Sequence, residues 1–211
     1  MNVQRQHDAE LDFPQATQET EDERSERILQ AACVGDEAAF VIVYRLVQPR
    51  LLRYATGLVG QDAEDVTADA WLQIARDLGT FSGSWDAFRG WTARIVRNRA
   101  VDHLRYEARR PVEPAELTSL SEREAPQRTD QLAVEGLSTR AAIELIATLP
   151  RDQAEAVLLR AVVGLDAARA GEVMGKRAGA VRVAAHRGLR TLARLLDENG
   201  DRRDDGGRDG S

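Results

Sequence analysis

The sequence predicts an all-α protein of two small helical domains joined by a flexible acidic linker. Three observations support this. Apolar residues recur at spacings of three and four through both halves, and no strand-like alternation appears. Pro111, Pro114 and Pro126 lie among Glu, Ser, Thr and Gln between 111 and about 137, a stretch too long and too polar to sit inside one compact domain. The charge is segmented. The net charge is −6, but 28–110 holds 10 acids and 11 bases and 141–196 holds 5 and 9, whereas 1–27, 111–140 and 197–211 are acidic. A polyanion senses such local blocks rather than the total, because fields are screened within about 10 Å. The expected division is a disordered acidic tail at 1–24, a domain at 25–110, a linker at 111–137, a domain at 138–197 and a disordered tail at 198–211.

In the first domain, Ile28 to Val34 makes a short helix that stops at Gly35. Asp36 can cap the next, whose apolar positions Phe40, Tyr44, Val47, Leu51 and Tyr54 follow a helical repeat; Pro49 should kink or divide it, and Gly57 and Gly60 should end it. Asp62 can cap a third helix with Ala63, Val66, Ala70, Ile74 and Leu78 on its apolar side. A fourth runs from about Ser84 to Tyr106. Ala93, Val96, Ala100 and Leu104 make its core face, with Arg94, Arg97, Arg105, Arg109 and Asn98 on an adjacent arc and Phe88, Trp91, Ile95 and Tyr106 beyond.

In the second domain, Ser138 can cap a helix to Thr148. Pro150 restarts the chain into a helix ending at Gly164. A short helix from Asp166 to Met174 stops at Gly175. After the turn Lys176-Arg177-Ala178-Gly179, a long helix carries Val181, Ala185, Leu189, Leu192 and Leu196 on one stripe.

Three arrangements suggest a function. The segment from Leu165 to Leu192 has the layout of a helix-turn-helix. Its second helix presents Arg182, His186, Arg187, Arg190 and Arg194 away from the stripe, after Lys176 and Arg177 in the turn. Arginines at a helix N-terminus suit phosphates and guanine edges; the same layout also suits a solvated face on an ordinary helical hairpin. In the fourth helix, arginines beside aromatics can hold a phosphate backbone while rings stack on unpaired bases. Phe88, Trp91 and Ile95 could equally be core, whereas Trp85, beside Ser82-Gly83-Ser84, is hard to place there. On the third helix, Asp65, Asp69, Gln73 and Arg76 with Leu72 and Trp71 make either a solvated face or a docking surface.

Other classes find little support. Cys33 is the single cysteine and reads as a small core residue, and His7, His103 and His186 have no ligand spacing, so no metal and no cofactor is expected. No paired carboxylates, nucleophile motif or phosphate-cradling glycine loop points to an enzyme. No run approaches the length of a membrane helix and the N-terminus lacks a secretory pattern, so the expected location is the cytoplasm.

These residues together resemble the extracytoplasmic-function (ECF) group of sigma-70 factors of bacterial RNA polymerase. Asp62-Ala-Glu-Asp-Val-Thr-Ala-Asp-Ala-Trp71 is similar to the polymerase-clamp-binding helix of sigma region 2, and Phe88 to Arg105 to its promoter-melting helix. Leu149 to Arg160 and Val181 to Arg187 carry the likeness to region 4. Three positions depart from the family pattern. Ala170 and Lys176 stand where bulky aliphatics are usual, which implies a loosely packed helix-turn-helix or altered promoter choice, and Leu189 replaces an arginine.

The resemblance implies a sigma factor that binds the clamp and flap regions of core RNA polymerase and directs initiation at chosen promoters. Its polymerase-binding residues would be Asp65, Asp69, Leu72, Gln73 and Arg76. Trp85, Arg94, Arg97, Asn98, Arg105 and Arg109 would serve at the minus-10 element, and Lys176, Arg177, Arg182, Val183, His186, Arg187 and Arg190 at the minus-35 element. An anti-sigma factor is an implied partner. The acidic linker, with Glu113, Glu116, Glu122, Glu124 and Asp130, would mimic RNA in the polymerase's basic exit path. The alternatives are a stand-alone helix-turn-helix regulator that binds duplex DNA without polymerase, and a helical adaptor that binds only protein.

Overall fold

The computed structural model of the chain describes residues 21–109 and 130–205, with side chains described over 21–109 and 139–198. The expected tail and linker fall mostly outside these residues, including Glu113, Glu116, Glu122 and Glu124. Among the described residues all regular structure is helical: α1 (Glu21–Cys33), α2 (Glu37–Val59), α3 (Ala63–Asp77), α4 (Trp85–Arg109), α5 (Asp130–Ala147), α6 (Arg151–Val157), α7 (Ala167–Met174) and α8 (Ala178–Asp205).

Several helix boundaries follow the local chemistry that the sequence signals. The Asp36 carboxylate accepts the Ala39 N–H at 2.9 Å and starts α2, and Asp166 accepts from the Arg169 N–H at 2.7 Å and starts α7. Ser84 Oγ accepts from the Ala87 N–H at the head of α4. Gly164 and Gly175 end their segments in the left-handed region, at φ 82° and 68°, where other residues are strained.

Other boundaries differ from expectation. α1 is already helical at Glu21, ahead of the expected start at Ile28, and Glu21, Asp22 and Glu23 there suit the positive end of the helix dipole. α5 is already helical at Asp130, so Ser138 lies inside the helix rather than at its cap. α8 continues through Asn199 and Gly200 to Asp205; one glycine costs about 1 kcal/mol, too little to stop a long helix that is already propagating. α2 is unbroken at the exposed Pro49 and runs past Gly57 to its cap at Gly60. Asp62 makes no side-chain cap; its carboxylate pairs with His103 Nε2 of α4 at 3.1 Å instead.

The N-terminal group packs α2, α3 and α4 around Val43, Val47, Leu51, Tyr54, Ile74, Phe88 and Val96, each almost fully buried. α4 is buried on two sides between Trp85 and Ala100. Ala93 and Val96 face one set of neighbours, while Phe88 and Ile95 belong to the same apolar core on the other side. Phe88 is ringed by Phe81, Trp85 and Trp91 at centroid distances of 5.4, 5.8 and 5.7 Å. Leu104, predicted on the core face, is exposed, because α4 has by then run beyond the layer that covers its middle.

In the C-terminal group, α6 passes into a π-helical turn at Leu158–Val163. α7 and α8 then close around Ala170, Val173, Val181, Ala185 and Leu192. Leu189 and Leu196 of the predicted stripe are exposed, and Gly188 occupies the contact instead, its Cα so near α6 that an added methyl would fall 2.8 Å from Val157 Cγ2. The two groups do not stand apart. α6, the π turn and α7 pack on α2 and α4, and one apolar core runs through both.

Candidate nucleic-acid interface

α8 is anchored by Val181, Ala185 and Leu192 and turns Arg182, Val183, His186, Arg187 and Arg190 to solvent. Val183 is 51% exposed, as an apolar residue free to meet a ligand would be. Arg177 is also exposed in the turn. Lys176 is exposed too but pairs with Asp152 of α6, so it reaches outward less freely than Arg177. The turn is tight. The Lys176 N–H donates to the Gly171 carbonyl at 2.9 Å, and a methyl at Gly171 would fall 2.5 Å from the Lys176 carbonyl oxygen. Ala170 is fully buried at the same junction. The expectation of loose packing is therefore corrected: small residues at 170 and 171 let the two backbones approach, and no bulky aliphatic is needed to fill the gap. Arg194 lies further along α8 and pairs with Glu198 at 3.8 Å.

On α4, Arg94, Asn98, Arg105 and Arg109 are exposed. Arg105 pairs with Asp102 at 3.5 Å, and Arg109 Nε donates to the Arg105 carbonyl at 2.9 Å. Two residues of the predicted set differ. Trp85 is 8% exposed and stacks on Phe88, so it is part of the aromatic core rather than a free platform for a base. A large ring at the first turn of a helix next to Phe81 and Phe88 buries more apolar area inward than it could outward. Arg97 is partly buried and its Nε donates to the Glu155 carboxylate of α6. Burial alone would pull the guanidinium down, but the hydrogen bond and charge of Glu155 outweigh it and raise its pKa.

The third surface is the outer face of α3 and the groove that separates it from α2. Asp65, Asp69, Leu72 and Arg76 are exposed, Leu72 to 65%, and Gln73 is half-buried, accepting from Arg99 at 2.9 Å. Beside them runs an open groove lined by Phe40, Tyr44, Gln48, Leu52, Trp71 and Leu72. Trp71 forms its floor: the ring is buried, its Nε1–H donates to Gln48 Oε1, and the Tyr44 ring lies 4.7 Å away. The sequence placed Leu72 and the charges on this face. It missed Phe40, Tyr44 and Gln48, which α2 contributes; their only sequence signal is the four-residue spacing of the two aromatics.

Among the described residues no cluster of His, Cys, Asp and Glu could hold a metal, and no helix is long and apolar enough to cross a membrane. Cys33 is a half-buried free thiol whose pKa is pushed up by burial.

Family models described as Sigma-70 region 2 and Sigma-70, region 4 match residues 43–110 and 139–192. The chain is similar to the ECF RNA polymerase sigma factor BldN of Streptomyces coelicolor, 32% identical over 178 residues that cover 83% of this chain and 67% of that protein. It is also similar to the ECF RNA polymerase sigma factor SigD of Mycobacterium tuberculosis, 33% identical over 183 residues covering 83% and 84%. In fold it is similar to CnrH, solved with the cytosolic domain of CnrY, with a TM-score of 0.58 and 23% identity over 82% of this chain and 98% of that one. The sigma factor RpoE of Bartonella quintana, solved with the anti-sigma factor NepR, matches at a TM-score of 0.57 and 23% identity, covering 75% and 96%.

Proposed function

Since the chain belongs to the ECF group of the sigma-70 family, and so acts with RNA polymerase in transcription initiation, we propose a division of that work among its three surfaces. The exposed face of α3 with Asp65, Asp69, Leu72, Gln73 and Arg76, together with the groove beside it between α2 and α3, docks on the polymerase clamp. α4 tracks the minus-10 strand with Arg94, Arg97, Asn98, Arg105 and Arg109. The N-terminal half of α8, with Arg177, Arg182, Val183, His186, Arg187 and Arg190, reads the minus-35 duplex, and Lys176 contributes once released from Asp152.

The observation that carries this reading is the exposure pattern of α8. Val181, Ala185 and Leu192 hold the helix on its domain while Arg182, His186, Arg187 and Arg190, with Val183 among them, face out. Such a face gives phosphate contacts that position the helix and arginines that can pair with guanine. Separating the strands costs a few kcal/mol per extruded base, and backbone contacts from α4 offset part of it.

Initiation factors choose sites and leave nucleotide chemistry to the polymerase, so no catalytic role is assigned to this chain. Cytoplasmic residence follows from the same partnership, and an anti-sigma factor is the expected protein inhibitor.

The test is run-off transcription on fragmented genomic DNA with core polymerase, with and without the protein. New transcripts sharing upstream elements at minus 10 and minus 35 are expected only when the protein is present. Tight, salt-dependent binding to duplex DNA without polymerase, and no new transcripts with it, would identify a stand-alone regulator instead.

A further inference from the structure

A polar seam joins α3, which carries the docking face, to α4, which carries the strand-facing arginines. Arg99 of α4 is half-buried against α3. Its Nη2 donates to Gln73 Oε1 at 2.9 Å, and Gln73 Nε2 donates in turn to Asp77 Oδ2 at 3.4 Å, one turn further along α3. The Arg99 Nε is buried and meets no acceptor. Among the described residues, the side-chain partner of this cation is a neutral amide rather than a carboxylate. One turn on, His103 Nε2 meets Asp62 Oδ2 at 3.1 Å, just ahead of α3. Arg99 and His103 are four residues apart, so both ties lie on one side of α4. Asp65, Asp69, Leu72 and Arg76 of the α3 face are exposed, whereas Gln73 is half-buried at this seam.

Apolar packing alone does not fix how α4 is rotated and registered on α3. Ala70 and Ile74 of α3 and Val96 and Ala100 of α4 belong to one core. Their attraction is non-directional, and alanines raise only shallow ridges against sliding. A hydrogen bond to a planar amide sets both a distance and an angle. Holding a guanidinium with one donor buried and unpaired is costly, and an apolar residue at 99 would avoid that cost. What the cation supplies is direction, at the middle of the exposed row: Arg99 follows Asn98 and lies between Arg94 and Arg105.

We propose that Arg99 is a positioning residue of the minus-10 surface. With Gln73 as its acceptor it pins α4 in rotation and register on α3. Arg94, Asn98 and Arg105 then meet the strand in one alignment, fixed relative to the polymerase-docking face. The proposal rests on the reading of α4 as the minus-10 helix. Arg99 touches no DNA itself; it acts through the residues it places.

The first test needs no polymerase. Amide hydrogen exchange of the full chain is followed residue by residue by NMR. Arg99→Ala removes the donor; Gln73→Met keeps the side-chain length and deletes the acceptor. Each should speed exchange from Asn98 to Arg105 about three- to tenfold and leave α2 and α7 within about twofold. Gln73→Glu keeps an acceptor facing Arg99 and should exchange like the unaltered chain. A residue that merely fills space would show the reverse order, with methionine tolerated and glutamate not. Uniform acceleration across the helices, or equal exchange in Gln73→Met and Gln73→Glu, overturns the pin.

The second test measures open-complex formation by permanganate reactivity of unpaired thymines, on a promoter that the unaltered holoenzyme opens. The chain is saturating over core polymerase, so differences in polymerase affinity do not enter the rate. Arg99→Ala and Gln73→Met should each slow opening about five- to tenfold, and the double variant should be no slower than either, because both break one contact. Gln73→Glu should stay within about twofold of the unaltered chain. Unchanged opening in variants whose α4 exchanges faster overturns the positioning role. In an Arg94→Ala background the further loss from Arg99→Ala should shrink to about threefold or less, since one of the contacts it places is gone. A full multiplicative loss would mean that Arg99 meets DNA directly and overturns the proposal. The reading of α4 is judged separately: if Arg94→Ala alone leaves opening unchanged, α4 is not the strand-binding helix, while the exchange result still decides the pin.

Discussion

Leu72→Ala separates docking from folding on a single helix. Leu72 is 65% exposed on α3, whereas Ile74, two residues on, is fully buried. Full burial of a leucine side chain is worth about 1.5–3 kcal/mol. The two-thirds that is exposed in the free protein therefore has about 1–2 kcal/mol to contribute when a partner covers it. Truncation to alanine should weaken polymerase affinity by about 5- to 30-fold, since each 1.4 kcal/mol is a factor of ten. The same change should leave unfolding free energy within about 0.5 kcal/mol, as for a surface site. Ile74→Ala should behave in the opposite way and cost about 2–5 kcal/mol of stability. The assay is a titration of dye-labelled protein with core polymerase, followed by fluorescence anisotropy, alongside urea denaturation of the free variants. Unchanged polymerase affinity in a normally folded Leu72→Ala protein would refute the groove between α2 and α3 as the docking surface. A large loss of stability would refute the premise that Leu72 faces solvent.

Three further outcomes follow from the geometry. Arg182→Ala or Arg187→Ala should relax preference at particular minus-35 bases by about 1–3 kcal/mol each, whereas Arg194→Ala, beyond the first turns and paired with Glu198, should lower activity evenly or not at all; transcription from a library of minus-35 variants distinguishes them. Arg94→Ala should reduce open-complex formation more on a closed promoter than on one with a pre-melted bubble, and equal losses on the two templates would mean that Arg94 only positions the backbone. Tyr54 should resist ionisation above the ordinary phenol range, so tyrosinate absorbance should stay incomplete until the closed core opens. Because its folded pKa is raised, its contribution to stability is fully present below the phenol's ordinary value and is lost only as pH climbs through the raised one. Glu155→Ala, by removing the neighbouring negative charge and the hydrogen-bond acceptor, should lower the Tyr54 pKa, while burial still holds it above the ordinary phenol range.

The fold class and most helix ends were legible in the residues because they depend on neighbours a few positions apart. Asp36 and Asp166 can reach only the amides just ahead of them, and Gly164 and Gly175 supply a backbone conformation that other residues strain to adopt. The basic face of α8 was legible for the same reason: a helical repeat fixes which side chains lie opposite Val181 and Ala185. The longer helices α5 and α8 were underestimated, because a single Ser, Asn or Gly is a weak stop against cooperative propagation.

Tertiary structure decided what helical periodicity cannot rank. α4 has two apolar arcs, and only the packing of several neighbouring helices and of Phe81 around it makes both of them core. Trp85 was read as a base-stacking ring because its sequence neighbours are polar; its spatial neighbours are Phe88 and the rest of the aromatic cluster. Glu155 carried no signal of its own, being one of two acids on a short helix. Its role comes from Arg97 and Tyr54, brought to it from far along the chain, and a buried charge takes its meaning from partners that only the folded chain assembles.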